Sequence, residues 1–182
     1  MNLRELIAKR SHETYDLHQK HVNPQFVRVL KVIGYDRGYA SASGAYLTDR
    51  DGRQVLDFLS GFGMYNIGRN HPTVDKALRE VMDLRTASLV QMDLGLLSGM
   101  LAEALVEIAP PGLDAVFFTN SGTEGVEGAL KIARQATGRS KVIYCDKAFH
   151  GLTLGALSAN GNEEFRGGNE PLLPDFVPIP FN

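Results

Sequence analysis

The chain has 182 residues, with 19 Lys and Arg against 21 Asp and Glu, five His and one Cys, for a formal net charge of −2 at pH 7. A 43% hydrophobic content with so little net charge is ordinary for a globular protein and gives no sign of nucleic-acid or membrane affinity. The lone Cys145 has no intramolecular partner, which fits a reducing, cytoplasmic compartment, and no leader or apolar run of membrane-spanning length is read in the sequence.

Leu3 to Val22 carries Leu3, Leu6, Ile7, Tyr15, Leu17 and Val22 at a loose helical period, which Asn23-Pro24 ends. His18 and His21, at i and i+3, have no acidic or thiol partner at fitting spacing, so no metal site is expected. Short strand-like runs follow at Val27 to Gly34, Ala45 to Thr48 and Gln54 to Leu59, with Asp49-Arg50-Asp51-Gly52 as a hairpin turn between the last two. Ser60-Gly61-Phe62-Gly63-Met64-Tyr65 reads as a Gly-punctuated loop whose apolar side chains either plug a subdomain seam or face a ligand. Thr73 to Leu84 repeats Val74, Ala77, Leu78, Val81 and Met82 as an amphipathic helix. Gly95 to Ile108 is another, striped by Leu97, Met100, Leu101, Leu105 and Ile108 and closed by Pro110-Pro111-Gly112.

Ala115 to Phe118 reads as a strand, followed by Thr119-Asn120-Ser121-Gly122-Thr123-Glu124 and a helix over Val126 to Ala136. Two readings fit the connecting turn. It is an anion cup, in which backbone N–H groups and the positive helix end face a phosphate and Ser121 and Thr123 add hydroxyl donors. Or it is only a helix cap, with Ser121 or Thr123 at the N-cap and Glu124 in the first turn. Lys141 to Cys145 reads as a second buried strand ending in Asp146-Lys147-Ala148-Phe149-His150-Gly151. In an open parallel sheet both strand ends lie on one side, so the cup and an aromatic face would converge. Phe149 by itself is either a core aromatic or a ligand face, and His150 either lines a pocket or pairs with backbone. After Gly161 the chain is Gly-rich and then Pro-rich, and no regular element is expected.

These residues resemble the class III aminotransferases, pyridoxal-phosphate enzymes of fold type I that include ornithine, acetylornithine, 4-aminobutyrate and putrescine aminotransferases. The resemblance runs through Gly44 to Asp49 with Asp51-Gly52-Arg53, Leu56-Asp57-Phe58 with Ser60-Gly61, Gly68 to Pro72, Asn120 to Glu127 with Ala129-Leu130-Lys131, and Ala148 to Gly151. It implies an α/β chain: an incomplete fold type I transferase, with an N-terminal helix and small antiparallel subdomain over 1–72 and the first part of a large parallel-sheet domain over 73–182. Ser121, Gly122 and Thr123 would hold the cofactor phosphate, Phe149 would stack on its ring, and His150 would lie beside it. Phe62 and Tyr65 would wall the substrate pocket. A homodimer is implied for the full-length protein.

In the family, the Lys that forms the Schiff base and the acid that holds the pyridine nitrogen protonated lie well after the Phe-His-Gly segment. Neither is recognised here, and Lys131, Lys141 and Lys147 read as solvent-facing, so no catalytic residue is assigned. The chain alone is expected to be inactive. Two departures from the family pattern stand out. Gly125 and Gly128 replace helix formers at about 0.8–1.0 kcal/mol each relative to Ala, so the backbone there either packs close to a neighbour or is locally weak. Leu152 replaces an Arg that in ornithine and acetylornithine members can hold a substrate carboxylate, which favours a diamine or other ω-amine donor, with Arg69, Arg166 or residues beyond the chain end as substitutes for the missing cation. The alternatives are a catalytically incomplete assembly or ligand-binding module, or an aminomutase or decarboxylase on the same scaffold.

Overall fold

The structure is a computed structural model that describes residues 2–87 and 90–182. It divides into two compact units, Met1–Ser88 and Leu89–Asn182.

The first unit opens with α1 (Leu3–Arg10), a 3-10 turn, α2 (Thr14–His21) and α3 (Pro24–Val32). The strand expected from Val27 onward is therefore a helix, and Asn23-Pro24 starts it rather than only ending its predecessor. Asn23 caps α3 by accepting from the Phe26 N–H at 2.9 Å, and Pro24 fills the first turn, where its missing N–H costs nothing. Phe26, Val29, Leu30 and Ile33 recur at helical spacing in a run whose β-branched content suggests a strand. Val27 is the buried apolar residue of this helix.

The antiparallel sheet β1 (Tyr39–Ser43), β2 (Tyr46–Asp49) and β3 (Gln54–Leu56) comes next, in the order β1-β2-β3. The hairpin turn falls where expected. Asp49 is buried, its Oδ1 accepts from the N–H groups of Asp51 and Arg53, and Gly52 takes φ +82°, a left-handed conformation that disfavours any side chain. Tyr15 anchors the helices to the start of the sheet, its hydroxyl accepting from Gly38 N–H at 3.2 Å. After the one-turn element α4 (Ser60–Gly63), α5 (Pro72–Leu84) completes this unit where the periodicity placed it.

The second unit contains α6 (Leu96–Ile108), α7 (Gly122–Thr137), β4 (Val142–Cys145), α8 (Leu154–Ser158), α9 (Glu163–Arg166) and β5 (Phe176–Ile179). Ala115 to Phe118 forms no ladder, because no described strand pairs with it. The expectation of no element after Gly161 is corrected by α9 and β5. β5 pairs with β4 in parallel, with Pro178 opposite Tyr144. The carbonyls of Asp175 and Ile179 accept from Val142 and Asp146, so the alternate residues, Pro178 among them, face away from the ladder where a missing N–H is harmless. The core of this unit is the end of α8 and the turn that leaves it: Ala156, Leu157, Ser158, Ala159 and Asn160 are all buried, with Tyr144 beneath. By contrast α5, α6 and α7 bury no residue fully. No helix among the described residues is long and apolar enough to cross a membrane.

Replacing Asn23 by Ala removes the cap of α3 and is expected to destabilise the first unit by about 1 kcal/mol, read as a lower urea midpoint at unchanged slope.

Candidate functional site

The turn before α7 is a helix cap that leaves two backbone donors unpaired among the described residues. Ser121 is the N-cap, its Oγ accepting from Glu124 N–H at 3.3 Å, while the Glu124 carboxylate reaches back to Asn120 N–H at 2.7 Å. The Ser121 carbonyl accepts from Gly125. The N–H groups of Gly122 and Thr123 then have no acceptor among the described residues, and they sit at the positive end of a 16-residue helix. Ser121 and Gly122 are exposed and Thr123 half-buried. Because the Ser121 oxygen accepts inward, its proton is free to point outward.

Gly128 has a packing reason, since a Cβ there would lie 2.9 Å from the Phe117 ring. Gly125 would meet only Thr119 Oγ1, at an ordinary 3.6 Å, so nothing in the structure explains it.

The segment after β4 is tied down from below. Asn160, wholly buried, accepts from His150 N–H at 2.7 Å through Oδ1 and donates to the Gly151 carbonyl at 3.0 Å through Nδ2. Gly161 N–H reaches Ala148 O at 2.9 Å. This lays Gly151 against the cup: a Cβ there would fall 2.2 Å from Thr123 Oγ1, and its φ of +128° also favours glycine. The structure thus brings the Thr123 end of the cup against the loop carrying Phe149 and His150. Phe149 remains 58% exposed and meets Phe165 edge-on, with ring centroids 5.1 Å apart. The His150 side chain is exposed. A neighbouring cleft of about 780 Å³ is lined by Cys145, Lys147, His150 and Pro180 among others, but by none of Ser121, Gly122, Thr123 or Phe149.

Sequence reasoning gave no role to Asn160, Thr153 or Glu127. Glu127 Oε1 accepts from the N–H groups of Gly155 at 2.8 Å and Ala156 at 3.2 Å, capping α8 from α7. Burial works against ionisation there, but the Thr153 hydroxyl, the N–H groups of Ala156 and Gly155 and the charge of Lys131 hold the carboxyl below its ordinary value. Thr153 and Thr123 share a hydrogen bond of 2.6 Å between their hydroxyls. In sequence Glu127 stands four residues before Lys131 on one helix, and that spacing says nothing of a partner 28 residues away.

In the first unit, Phe62 is 90% and Tyr65 37% exposed. Their loop is a left-handed turn, with φ of 48° at Ser60, 60° at Gly61, 57° at Phe62 and 90° at Gly63. For Ser60 and Phe62 this costs roughly 1–2 kcal/mol each. A latch offsets the cost. Asp57 accepts from Ser60 N–H at 2.9 Å and pairs with Arg69 Nε at 2.8 Å, and the Arg69 guanidinium lies 3.9 Å from the Tyr65 ring centroid. The Ser60 N–H and then Arg69 hold the Asp57 carboxyl below its ordinary value. Arg69 is therefore committed, and so is Arg166, whose Nη1 donates to Tyr144 OH at 2.8 Å and to the Asn160 carbonyl at 2.9 Å.

Residues 34–182 match the model of the family described as Aminotransferase class-III. An acetylornithine aminotransferase of Bacillus anthracis is 42% identical over 151 residues, a match covering 79% of this chain and 36% of that protein. Aminotransferase PigE of a Serratia species is 37% identical over 170 residues, covering 93% of this chain and 20% of PigE. Among solved structures, the adenosylmethionine-8-amino-7-oxononanoate aminotransferase of Methanocaldococcus jannaschii superposes with a TM-score of 0.80 at 28% identity, covering 92% of this chain and 40% of that one. The taurine:2-oxoglutarate aminotransferase of Bifidobacterium kashiwanohense, in complex with PLP and glutamate, gives 0.78 at 29% identity, covering 93% and 38%. The chain spans between a fifth and two fifths of the length of the curated relatives it matches.

Asn160→Ala would leave His150 N–H and the Gly151 carbonyl without partners and is expected to destabilise the second unit by about 2 kcal/mol, measured by chemical denaturation. The Asp57 latch has a pH signature. With the folded carboxyl below the ordinary value of 3.8, its contribution is complete above 3.8 and is lost as pH falls through the lower folded value. Protease cleavage at Phe62 and Tyr65 should therefore stay slow down to about pH 4 and be fast at every pH in Asp57→Asn.

Proposed function

Since the chain belongs to the class III aminotransferase family, we propose that it forms the N-terminal part of an enzyme moving an amino group from an amine or amino acid to a 2-oxo acid, and that it holds the phosphate and ring of pyridoxal 5′-phosphate. Its fold is an incomplete fold type I transferase, a mixed α/β arrangement matching about 40% of the solved relatives. The observation that carries the cofactor reading is the cup: two N–H groups without acceptors at the start of a long helix, an outward-facing Ser121 hydroxyl, and an exposed aromatic on the loop that packs against Thr123. These residues fit the group chemically. A phosphate accepts from such donors, and an exposed Phe149 face suits a flat ring.

Ser121, Gly122 and Thr123 bind the phosphate in this reading. Phe165 steadies Phe149 for stacking, and His150 lines the site, its ring left free because only its backbone is tied to Asn160. Pyridoxal phosphate, when bound, supplies an electron sink for bonds at the substrate's amine carbon. Phe62 and Tyr65, held by the Asp57–Arg69 latch, wall the substrate pocket. With Arg69 and Arg166 engaged and Leu152 following Gly151, this segment offers no obvious clamp for a second substrate carboxylate. That supports a diamine or ω-amine donor over an ornithine-type one.

In this reading none of Lys131, Lys141 or Lys147 forms the Schiff base, because the family's Lys follows well after the Phe-His-Gly segment. The open apolar stripe of α6, with Leu97, Met100, Leu101 and Ile108 all exposed, suits burial in a homodimer of the full-length protein. The unpaired Cys145 suits the cytoplasm.

The purified chain is expected to show no amino transfer, and at most weak pyridoxal 5′-phosphate binding. Pyridoxal, lacking the phosphate, should bind the protein carrying this segment at least about tenfold more weakly. Equal binding of the two would sink the cup assignment, and turnover by the isolated segment would sink the division of labour.

A further inference from the structure

The side chain of Asn160 is polar and wholly buried, and it spans two peptide groups of the loop after β4. Its Oδ1 accepts from His150 N–H at 2.7 Å, and its Nδ2 donates to the Gly151 carbonyl at 3.0 Å. A backbone N–H can only donate and a backbone carbonyl can only accept, so a single orientation of the amide satisfies both. The next residue adds a third tie, from Gly161 N–H to the Ala148 carbonyl at 2.9 Å. A Cβ on Gly161 would fall 2.3 Å from Lys147 N and 2.7 Å from the Cys145 carbonyl oxygen, so its backbone lies directly against the loop.

These ties fall on either side of Phe149. Ala148 and His150 are held, while Phe149 makes no hydrogen bond of its own among the described residues. The direction of its Cα–Cβ bond is therefore set by its fixed neighbours, and its ring, 58% exposed, meets Phe165 edge-on with centroids 5.1 Å apart. The support beneath is itself anchored. Arg166 Nη1 donates to the Asn160 carbonyl at 2.9 Å and to the Tyr144 hydroxyl at 2.8 Å, and Asn160 N–H donates to the Leu157 carbonyl at 3.0 Å. The cup, by contrast, is formed by the start of α7 and takes no hydrogen bond from the Asn160 side chain.

We propose that Asn160 is a positioning residue for the cofactor ring: it fixes the backbone around Phe149, so that the aromatic face stays in one place relative to Thr123, on which Gly151 lies. The proposal rests on the reading of the cup and of Phe149 as the phosphate and ring sites of pyridoxal 5′-phosphate. Its consequence is a division between the two halves of the site. Asn160 contributes to affinity for a ligand that carries both ring and phosphate, and contributes nothing to affinity for phosphate itself. An amide that merely closed the loop would raise the thermal midpoint without distinguishing the two ligands.

The test uses the protein carrying this segment and two probes. Deoxypyridoxine 5′-phosphate has the ring and the phosphate but no aldehyde to react with an amine, and inorganic phosphate is read by its competition with the first. The variants are Asn160→Asp, Asn160→Thr, Phe149→Leu and each Asn160 variant combined with Phe149→Leu, with thermal midpoints recorded alongside. Asn160→Asp keeps the shape and the acceptor for His150 N–H but loses the donor to Gly151, and Asn160→Thr is too short to span both groups. Expected in either is about fivefold weaker binding of deoxypyridoxine 5′-phosphate, the scale of one aromatic stack, with inorganic phosphate within about twofold of the wild type. In the Phe149→Leu protein the same substitutions should weaken binding no further, because they act through that ring. Equal weakening of both probes, no weakening of either, or the same loss repeated in Phe149→Leu overturns the proposal while leaving the site standing. If Asn160→Asp does not fold, Asn160→Thr decides, and failure of both to fold assigns Asn160 to the fold alone and overturns the proposal. Inorganic phosphate that does not compete in the wild type overturns the phosphate reading instead, and unchanged binding of deoxypyridoxine 5′-phosphate in Phe149→Leu overturns the ring reading.

Discussion

The second unit depends on one buried side chain. Asn160 is fully enclosed and joins His150 N–H to the Gly151 carbonyl across ten residues of sequence. A buried amide is tolerated only when its groups are paired, and these pairings close the loop between β4 and α8. With that loop closed, Gly151 lies on Thr123, Gly155 lies on Glu127, and α8 is held where its Ala156 and Leu157 form the core. Arg166 continues the same support by donating to the Asn160 carbonyl and the Tyr144 hydroxyl. The site is thus positioned by polar groups buried under it as much as by apolar packing.

The cap and the cup before α7 are consequences of one geometry. A helix start leaves several N–H groups unpaired, and a capping serine satisfies only some of them. Ser121 takes Glu124 N–H, Glu124 takes Asn120 N–H, and Gly122 and Thr123 are left over. A Gly at 122 keeps the approach to those donors clear, with nothing within 4 Å of where its Cβ would be. The bland reading of the six residues and the functional one are therefore compatible, because the cap consumes an acceptor and the cup offers donors.

Apolar burial within the described residues is thin. The buried hydrophobic residues are Val27, Tyr144, Ala156, Leu157 and Ala159, while the stripes of α5 and α6 remain open. At roughly 25 cal/mol per Å² of apolar area removed from water, stripes of this kind are a large unused reserve of stabilisation. These relatives are about three to five times as long as the matched region, and open apolar surface of this size is unusual on a monomer. The latch of Asp57, Arg69 and Tyr65 shows the complementary strategy, in which a strained turn is held locally by an ion pair and an aromatic face.

The elements legible in the sequence are those whose causes are local. Periodicity placed α5 and α6, Asp49 to Gly52 placed the hairpin, and Ser121 to Glu124 placed the start of α7. Local signals also misled where two of them competed. The β-branched run after Asn23-Pro24 suggested a strand, but the cap and the N1 proline made it α3. Prolines hid β5, because only the ladder shows that Pro178 faces away from its partner. Sequence by itself determined the family and the start of α7, since these depend on residue types in short ordered blocks. Tertiary structure alone decided that Arg69 and Arg166 are engaged and that Asn160 fastens the loop. It also decided that the hydroxyls of Thr123 and Thr153 meet. Each of these is a hydrogen bond or ion pair between residues six to thirty apart, and no rule of local spacing specifies which donor meets which acceptor across that distance.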